Sequence, residues 1–457
     1  MKKREILWLV SLLLLCVRCT VKEDYIFDES ATARIKAYIT DCGAIITQPE
    51  HGWKVLFEPN KQSLGGYHVV MKFNEDGTVR MVCDFLAEES TSTYSFNESQ
   101  GAVLCMDTYS VLHYLSDPRV PRAGILGVGL EGEFEFVIKE VTPDSLVFSG
   151  KKWGEPVVFY PAEADDWTGR MERYREHIEK MAPQDDSPFF RALTMNLTAI
   201  NLVYDPPTRT VVYTYSDNES EQILSAWTRV YGTDEGIRFS PAIRVNGVVL
   251  DQLRYNRTTR LFEVGTPGVT GSLKYSDTPP FPFFNSLDML QARSTFACTP
   301  RVGTISGSMT SIFSFLEALM GGHSIYMTSE LQLGYRGLLL AGMKQFRIIW
   351  DIDGRGPWFT FFGAQSAFAG EALYSTNYRL EMEVLRASRD QVRFTWTGEN
   401  QNNDTQFHTN MTSQLGFAAF RQFITDPAGF TVVPSSNERF YLVNLSDSKR
   451  WLLLSKE

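Results

Sequence analysis

The stretch Tyr67-His68-Val69-Val70-Met71-Lys72-Phe73-Asn74-Glu75-Asp76-Gly77-Thr78-Val79-Arg80-Met81-Val82-Cys83 decides the fold class of this chain. Apolar residues occupy every second position on both sides of Asn74-Glu75-Asp76-Gly77, which is the pattern of two half-buried strands joined by a turn. Gly77 can take the positive φ that a tight hairpin turn requires. The stretch therefore predicts an antiparallel β-hairpin.

The same period of two recurs through most of the chain and predicts a mainly β (α+β) protein. Helical spacing of apolar residues appears in only a few segments, at about 28–46, 167–181 and 413–424. Residues 266–311 are rich in Pro, Gly, Ser and Thr and are expected to form loop. We expect two similar antiparallel β-rich lobes, residues 28–216 and 217–457, each with one or two helices.

An internal repeat is the main reason to expect similar lobes. Residues 132–216 contain two strands, a short strand, a helix and a closing hairpin, and residues 378–455 contain the same elements in the same order. Identity between the two copies is low, so the prediction depends on the order of elements. Chance recurrence of common hairpins is the alternative.

The N-terminus resembles a bacterial lipoprotein signal. Basic residues precede an apolar run of about a dozen residues, which is too short to span a bilayer. Cys19 ends that run and is the expected lipidation site, with Cys16 as the alternative, so residues 1–18 form the signal peptide and residues 19–27 the anchor and linker. Lys22, Glu23 and Asp24 resemble the export tag of surface lipoproteins. An ordinary cleaved signal is the competing interpretation.

Composition limits the classes of function. The 457 residues carry a net charge of -10, which argues against a nucleic acid partner because phosphate binding needs a basic surface. Downstream of the signal, no apolar run approaches the roughly 18 residues of a membrane span. Cys83 and Cys105 are the pair most able to form a disulfide, whereas buried free thiols at these positions and at Cys42 and Cys298 are the alternative.

No motif in the chain predicts catalysis, a cofactor or a metal site. The six histidines lack ligand spacing, and no nucleophile elbow occurs. His113 lies near Asp107 and Asp117 and could join an acid–base cluster, although a structural hydrogen bond is the simpler reading. Adjacent carboxylates such as Asp165 and Asp166 are expected on the solvated surface. Exposed tryptophans could form a platform for a sugar or a peptide, but tryptophans in a β-rich protein could equally be core residues. Those spread through both lobes are Trp53, Trp153, Trp167, Trp227, Trp350, Trp358 and Trp396.

Several short segments together resemble a family of Bacteroidota lipoproteins known only as a domain of unknown function. They are Phe27-Asp28-Glu29-Ser30-Ala31 with Arg34, Gly52-Trp53, Gly65-Gly66-Tyr67, Phe73 to Val79, Asp107-Thr108-Tyr109 with Leu112-His113, Gly132 to Phe136, and Gly150-Lys151-Lys152. The resemblance implies a surface or periplasmic lipoprotein and carries no catalytic residues.

We therefore expect a non-enzymatic binding or accessory protein, anchored through Cys19 in the lipid of the outer membrane and exposed at the cell surface. Its expected partners are a glycan, a peptide or a neighbouring surface protein. A surface hydrolase of a polysaccharide or protein is one alternative, and a structural subunit of a surface complex is another.

Overall fold

A computed structural model of the chain describes residues 29–62, 64–99, 101–118, 129–182, 187–206, 208–220, 222–291, 295–298, 342–349, 357–364, 373–403, 405–412, 415–436 and 439–456. Residues 1–18, Cys19 and the tag Lys22-Glu23-Asp24 lie outside these described residues. Within the described ranges, no helix combines the length and hydropathy needed to cross a bilayer.

The strands of the structure form three closed antiparallel barrels of eight strands each. The first barrel consists of β1 Trp53–Phe57, β2 Tyr67–Phe73, β3 Thr78–Cys83, β4 Ser90–Asn97, β5 Val103–Met106, β6 Glu135–Val141, β7 Leu146–Gly150 and β8 Pro156–Pro161. The second consists of β9 Phe190–Met195, β10 Thr198–Asp205, β11 Thr210–Ser216, β12 Ile223–Gly232, β13 Gly236–Val245, β14 Val248–Asn256, β15 Leu261–Val264 and β16 Ser272–Ser276. The third consists of β17 Thr295–Cys298, β18 Gly342–Ile349, β19 Trp358–Ala364, β20 Leu373–Val384, β21 Gln391–Asn402, β22 Phe430–Ser436, β23 Arg439–Asn444 and β24 Trp451–Lys456.

The helices of the described residues are short except for the first. They are α1 Ala31–Ile46, α2 Val111–Ser116, α3 Met171–Met181, α4 Ser286–Gln291, α5 Thr405–Thr412 and α6 Leu415–Ile424, with a π-helical turn, Asp166–Arg170, leading into α3. Ser30 caps α1, because its hydroxyl accepts a hydrogen bond from the Ala33 N–H at 3.2 Å.

Each barrel is an up-and-down meander, in which every strand pairs with the next strand in sequence and the first pairs with the last. In the first barrel, for example, Trp53 of β1 is opposite Pro161 of β8. Because side chains alternate across a strand, each closed sheet turns one apolar set inward. Three separate hydrophobic clusters fill the three barrels.

The mainly β, antiparallel class with similar lobes and few helices is confirmed. The predicted hairpin is present as β2 and β3, where the Asn74 N–H donates to Thr78 O at 2.9 Å and Gly77 has φ 81°. The third closed sheet adds a further lobe of the same kind to the two that the sequence predicts.

The lobe boundary at residue 216 and the internal repeat need correction. Residues 216 and 223 are paired between β11 and β12, so the boundary falls inside the second barrel. The first copy, 132–216, is divided between two barrels, whereas the second copy, 378–455, lies within the third. The repeat was therefore a recurrence of common hairpins. Residues 266–311 also contain β16, α4 and β17, because tertiary pairing overrides a loop-like composition.

One turn joins all three barrels. The turn between β10 and β11 carries Asp205 and Arg209, which are both buried. Arg209 Nη1 donates to Asp84 Oδ2 of the first barrel at 2.8 Å, and Asp205 forms an ion pair with Arg439 of the third. These two ion pairs link the second barrel to the first barrel and to the third.

Candidate functional site

One end of the first barrel carries a group of aromatic side chains at its surface. Strands β5 and β7 finish at this end of the barrel, and β6 starts there. The connecting segments 107–118, 129–134 and 151–155 therefore meet at one edge of the barrel. We call Tyr109, His113, Phe134 and Trp153 the aromatic rim. Tyr109 is 57% exposed and Trp153 is 47% exposed, so both rings present apolar surface to solvent.

Three of the rim side chains form a stack. The rings of Tyr109 and His113 lie 5.9 Å apart at 29°, and those of His113 and Phe134 lie 4.3 Å apart at 20°. The outermost ring, Tyr109, presents its surface to solvent while the inner rings hold it in place. The stack therefore forms a preorganised flat aromatic surface.

The short helix α2 positions this stack. Its apolar side chains Val111, Leu112 and Leu115 are buried in the first barrel, which leaves His113 on the opposite side. The Ser110 hydroxyl and His113 Nδ1 form a hydrogen bond of 3.1 Å. The Tyr109 hydroxyl donates to Asp117 Oδ2 at 3.2 Å. These contacts restrain the orientation of the exposed Tyr109 ring and of the half-buried His113 ring.

A buried carboxylate positions Trp153. Glu133 Oε1 accepts the N–H of Lys152 at 2.9 Å and that of Trp153 at 2.5 Å. Burial raises the pKa of Glu133, while the two backbone donors lower it. Lys152 Nζ lies 4.6 Å from the centre of the Trp153 ring, a cation–π contact. The loop after β7 is therefore held against the start of β6.

The acid–base alternative at His113 has a different geometry from a catalytic dyad. Asp107 Oδ1 accepts the Ser95 hydroxyl at 2.8 Å, Asp117 accepts Tyr109, and His113 is bonded to Ser110. Burial lowers the pKa of His113, and the charge of Asp107 opposes that shift only in part. The imidazole is therefore mainly neutral at pH 7 and acts as a stacking ring and a hydrogen-bonding group.

The other tryptophans divide between core and surface. Trp53 is fully buried and its Nε1 donates to Ile46 O at 2.7 Å, and Trp358 is buried beneath Arg379. Trp227 of β12 is 43% exposed, far along the chain from the rim. Trp350 lies outside the described residues. The core interpretation is thus confirmed for Trp53 and Trp358, whereas Trp153 is exposed, as a platform requires.

Asp166 corrects the expectation that adjacent carboxylates are solvated. It is fully buried, accepts Lys54 Nζ at 3.2 Å and Arg170 Nη1 at 2.5 Å, and accepts the Glu163 N–H at 2.7 Å. The π-helical turn places it at the start of α3 between these donors. Asp165 is the exposed member of the pair and binds Arg173.

The described cysteines are free thiols. Cys42, Cys83 and Cys105 are all buried, and Cys83 and Cys105 belong to strands separated by β4. Burial raises the pKa of Cys83 to about 11 and that of Cys42 to about 12. The alternative of buried thiols is therefore the observed one for these three. Within the described part of the chain, no group of three or more histidine, cysteine or acidic residues could hold a metal ion.

The rim was only partly recognisable from the sequence. His113 and its acidic neighbours stand out, but Phe134 and Trp153 lie far from them along the chain. The strand order could have shown that these residues lie close together. In a meander, every loop that follows an odd-numbered strand lies at the same end of the barrel.

The rim lies within the part of the chain that a protein-family model matches. A family model described as "Domain of unknown function (DUF4302)" matches residues 23–257, just over half of the chain. No curated protein matches. Among solved structures, the H. pylori beta clamp in complex with 5-chloroisatin is 10% identical, covers 93% of this chain and 98% of its own, and has a TM-score of 0.17. DNA polymerase III subunit beta from Borrelia burgdorferi in complex with a natural product is 7% identical, covers 94% and 97%, and has a TM-score of 0.13.

Those two TM-scores are too low to support a shared fold. The family match covers the whole first barrel and most of the second, and it includes all four rim residues. The chain belongs to the family defined by this domain of unknown function.

Proposed function

We propose that this protein is a lipid-anchored, non-enzymatic glycan-binding protein of the bacterial cell surface, and that the aromatic rim is its binding site. The observation that carries the proposal is the Tyr109–His113–Phe134 stack, whose outer ring is exposed and held in one orientation. A fixed aromatic surface loses little conformational entropy when a ligand packs on it.

The chemistry of the rim favours a sugar. The apolar C–H face of a pyranose packs on a flat aromatic ring, and its hydroxyls need hydrogen-bond partners at the edge of that ring. Asp117 and Asp107 supply carboxylate acceptors beside Tyr109 and His113. Each oxygen of a carboxylate can accept more than one hydrogen bond. A peptide lacks a comparable flat apolar face.

Anchoring follows from the N-terminus. We infer that Cys19 carries the lipid and that Lys22, Glu23 and Asp24 direct the protein to the outer face of the outer membrane. Cys19→Ala should abolish palmitate labelling and leave the precursor uncleaved. Labelling lost in Cys16→Ala but kept in Cys19→Ala would move the anchor to Cys16.

The tag is tested separately. Replacing Lys22, Glu23 and Asp24 by Ala should leave the protein in the membrane but hide it from protease added to intact cells. Unchanged cleavage would remove the role of the tag while leaving the lipid anchor standing.

The binding site is tested with a glycan array. The wild-type chain should bind a defined set of glycans, and the double variant Tyr109→Ala, Trp153→Ala should lose at least about tenfold in affinity, since each aromatic contributes roughly 1 kcal/mol or more. Tyr160→Ala is the matched control, because Tyr160 is 54% exposed on the same barrel but near the end of β8 that is distant from the rim. Equal loss in the control, or glycan binding that survives the double variant, would contradict this site.

The absence of catalysis is part of the proposal. Bound glycans should be recovered intact after prolonged incubation with the purified chain. Hydrolysis that disappears in His113→Ala or Asp107→Asn would instead favour the hydrolase alternative.

A further inference from the structure

A second polar site lies at the inner face of the second barrel, where that barrel meets the third. Arg191 occupies the second position of β9, opposite Leu202 of β10 and Tyr275 of β16. Tyr204 is two residues beyond Leu202 and therefore faces the same side of the sheet. Tyr441 of β23 approaches from the third barrel, where its ring packs on Phe189 at 4.9 Å. Arg191, Tyr204 and Tyr441 are 3%, 1% and 1% exposed.

These three side chains hold buried polar atoms that make no hydrogen bond of good geometry, although Tyr275 lies close to Arg191 and Ser435 lies close to Tyr441. These atoms are Nε and Nη2 of Arg191 and the hydroxyls of Tyr204 and Tyr441. Leaving such donors unpaired in the interior is unfavourable, most of all for a charged group, so native proteins rarely do it. The Nε–Nη2 edge is also the edge with which an arginine grips a carboxylate through two parallel hydrogen bonds.

Of the buried charged groups that act most on Tyr441, two are cationic and one is anionic. Arg191, Arg439 and Asp205 all act on Tyr441 and are all buried. Asp205 is already paired with Arg439. The groups that act most on Arg191 are the tyrosines at 275, 441 and 204, and burial lowers its pKa. A buried cation of this kind is costly unless an anion compensates it.

We propose that Arg191, Tyr204 and Tyr441 form a site for one small carboxylate anion at the inner face of the second barrel, where it meets the third, held by the Nε–Nη2 edge of Arg191. The two tyrosine hydroxyls donate to the remaining lone pairs of the carboxylate. Tyr275, whose ring centre is 5.5 Å from the Arg191 guanidinium carbon, covers one side of the cation. The site is distinct from the aromatic rim and does not depend on glycan binding.

The test is the thermal midpoint of the purified full chain in sodium acetate, formate and bromide at equal ionic strength. A ligand that binds only the native state raises the midpoint with the logarithm of its concentration. Acetate and formate should raise the midpoint by several degrees over bromide. Arg191→Met should abolish this difference, and Arg254→Met, an exposed arginine of the same barrel, should keep it.

Two further variants keep the test decisive if Arg191→Met does not fold. Arg191→Lys retains the charge but lacks a two-nitrogen edge, so its apparent dissociation constant for acetate should rise at least about tenfold. Tyr441→Phe removes one donor and should also weaken acetate binding, by about fivefold or more. A carboxylate effect that is equal in all variants, a bromide effect as large as that of acetate, or electron density showing only water at Arg191 would overturn the proposal.

Discussion

Arg209 shows how one side chain can join two barrels. Its guanidinium donates to Asp84 Oδ2 at 2.8 Å, to Asp84 O at 3.0 Å and to Gly66 O at 2.8 Å. It also lies 4.6 Å from the centre of the Tyr67 ring. Both charges are almost completely buried, so each depends on the other for compensation.

Replacing Arg209 should therefore be severe. Arg209→Met leaves Asp84 as a buried carboxylate without its cation and should lower the free energy of unfolding by about 3–5 kcal/mol. Arg80→Met is the control, because its partner Glu89 is exposed and such pairs contribute roughly 0–1 kcal/mol. Urea denaturation measures both. A loss below about 1 kcal/mol for Arg209→Met would show that the pair is replaceable.

His68 makes stability depend on pH. Burial lowers its pKa from 6.5, with Asp84 and Asp166 opposing the shift and Arg209 adding to it, while Tyr174 and Tyr231 pack on its ring. The folded state therefore prefers the neutral imidazole. The unfolded state binds the proton more tightly, so stability is fully present above pH 6.5 and is lost as pH falls through the lower folded value.

The free energy of unfolding of the wild-type chain should accordingly fall between pH 7.5 and pH 5. The slope should be smaller in His68→Phe, which removes this titrating group while keeping an aromatic ring in its place. Denaturant unfolding at both values checks the difference. An identical slope in the variant would assign the pH dependence to other groups.

At the scale of elements, two glycines should respond in opposite ways to the same change. Gly77 has φ 81° in the β2–β3 turn, and a Cβ there would meet no atom closer than 3.9 Å, so only the backbone conformation opposes a side chain. Gly43 lies inside α1, where its nearest neighbour, Phe96, would be at 3.6 Å. Gly77→Ala should cost about 1 kcal/mol, and Gly43→Ala should gain up to about 1 kcal/mol. Thermal midpoints that shift in the same direction would refute this interpretation.

Local elements were predictable because their signals are local. The period of two around Gly77 and the helical spacing after Ser30 depend on neighbours within one turn or one hairpin. Barrel closure was not predictable, because it depends on pairing between strands that are far apart in the sequence, such as Trp53 of β1 with Pro161 of β8. The incorrect lobe boundary at residue 216 has the same cause, because the sequence pattern of a hairpin is the same whether the hairpin begins, continues or ends a closed sheet.

The candidate site was likewise predictable only in the part that depends on residues close together in the sequence. His113 and Asp107 stand out because they are close in the sequence, whereas Trp153 was one of seven tryptophans that could be either a platform or core residues. The stacking of His113 on Phe134 requires the chain to return to the same barrel end. The buried donors of Arg191 were not predictable at all, since nothing in a sequence distinguishes an unpaired arginine from a surface one.

At the scale of the whole molecule, the second barrel is the connector. Its β10–β11 turn binds the first barrel through Arg209 and the third through Asp205. An apolar cluster covers the second of these interfaces. Its buried members are Phe189, Phe190, Val203, Phe283, Val433, Tyr441, Val443, Trp451 and Leu453. Each barrel has its own core, so the interfaces decide whether the barrels unfold together.

Unfolding should therefore be coupled in the wild-type chain and uncoupled by one substitution. Arg439→Met leaves Asp205 buried without its cation, so the interface should lose about 3–5 kcal/mol and the third barrel should melt as a separate, earlier transition. Differential scanning calorimetry measures the number of transitions. Adding Asp205→Asn removes the uncompensated charge and should move the early transition back toward the main one, because both charges are then gone. If Arg439→Met keeps a single transition, or if the double variant is less stable than the single variant, the ion pair does not couple the barrels and the apolar cluster alone must hold them together.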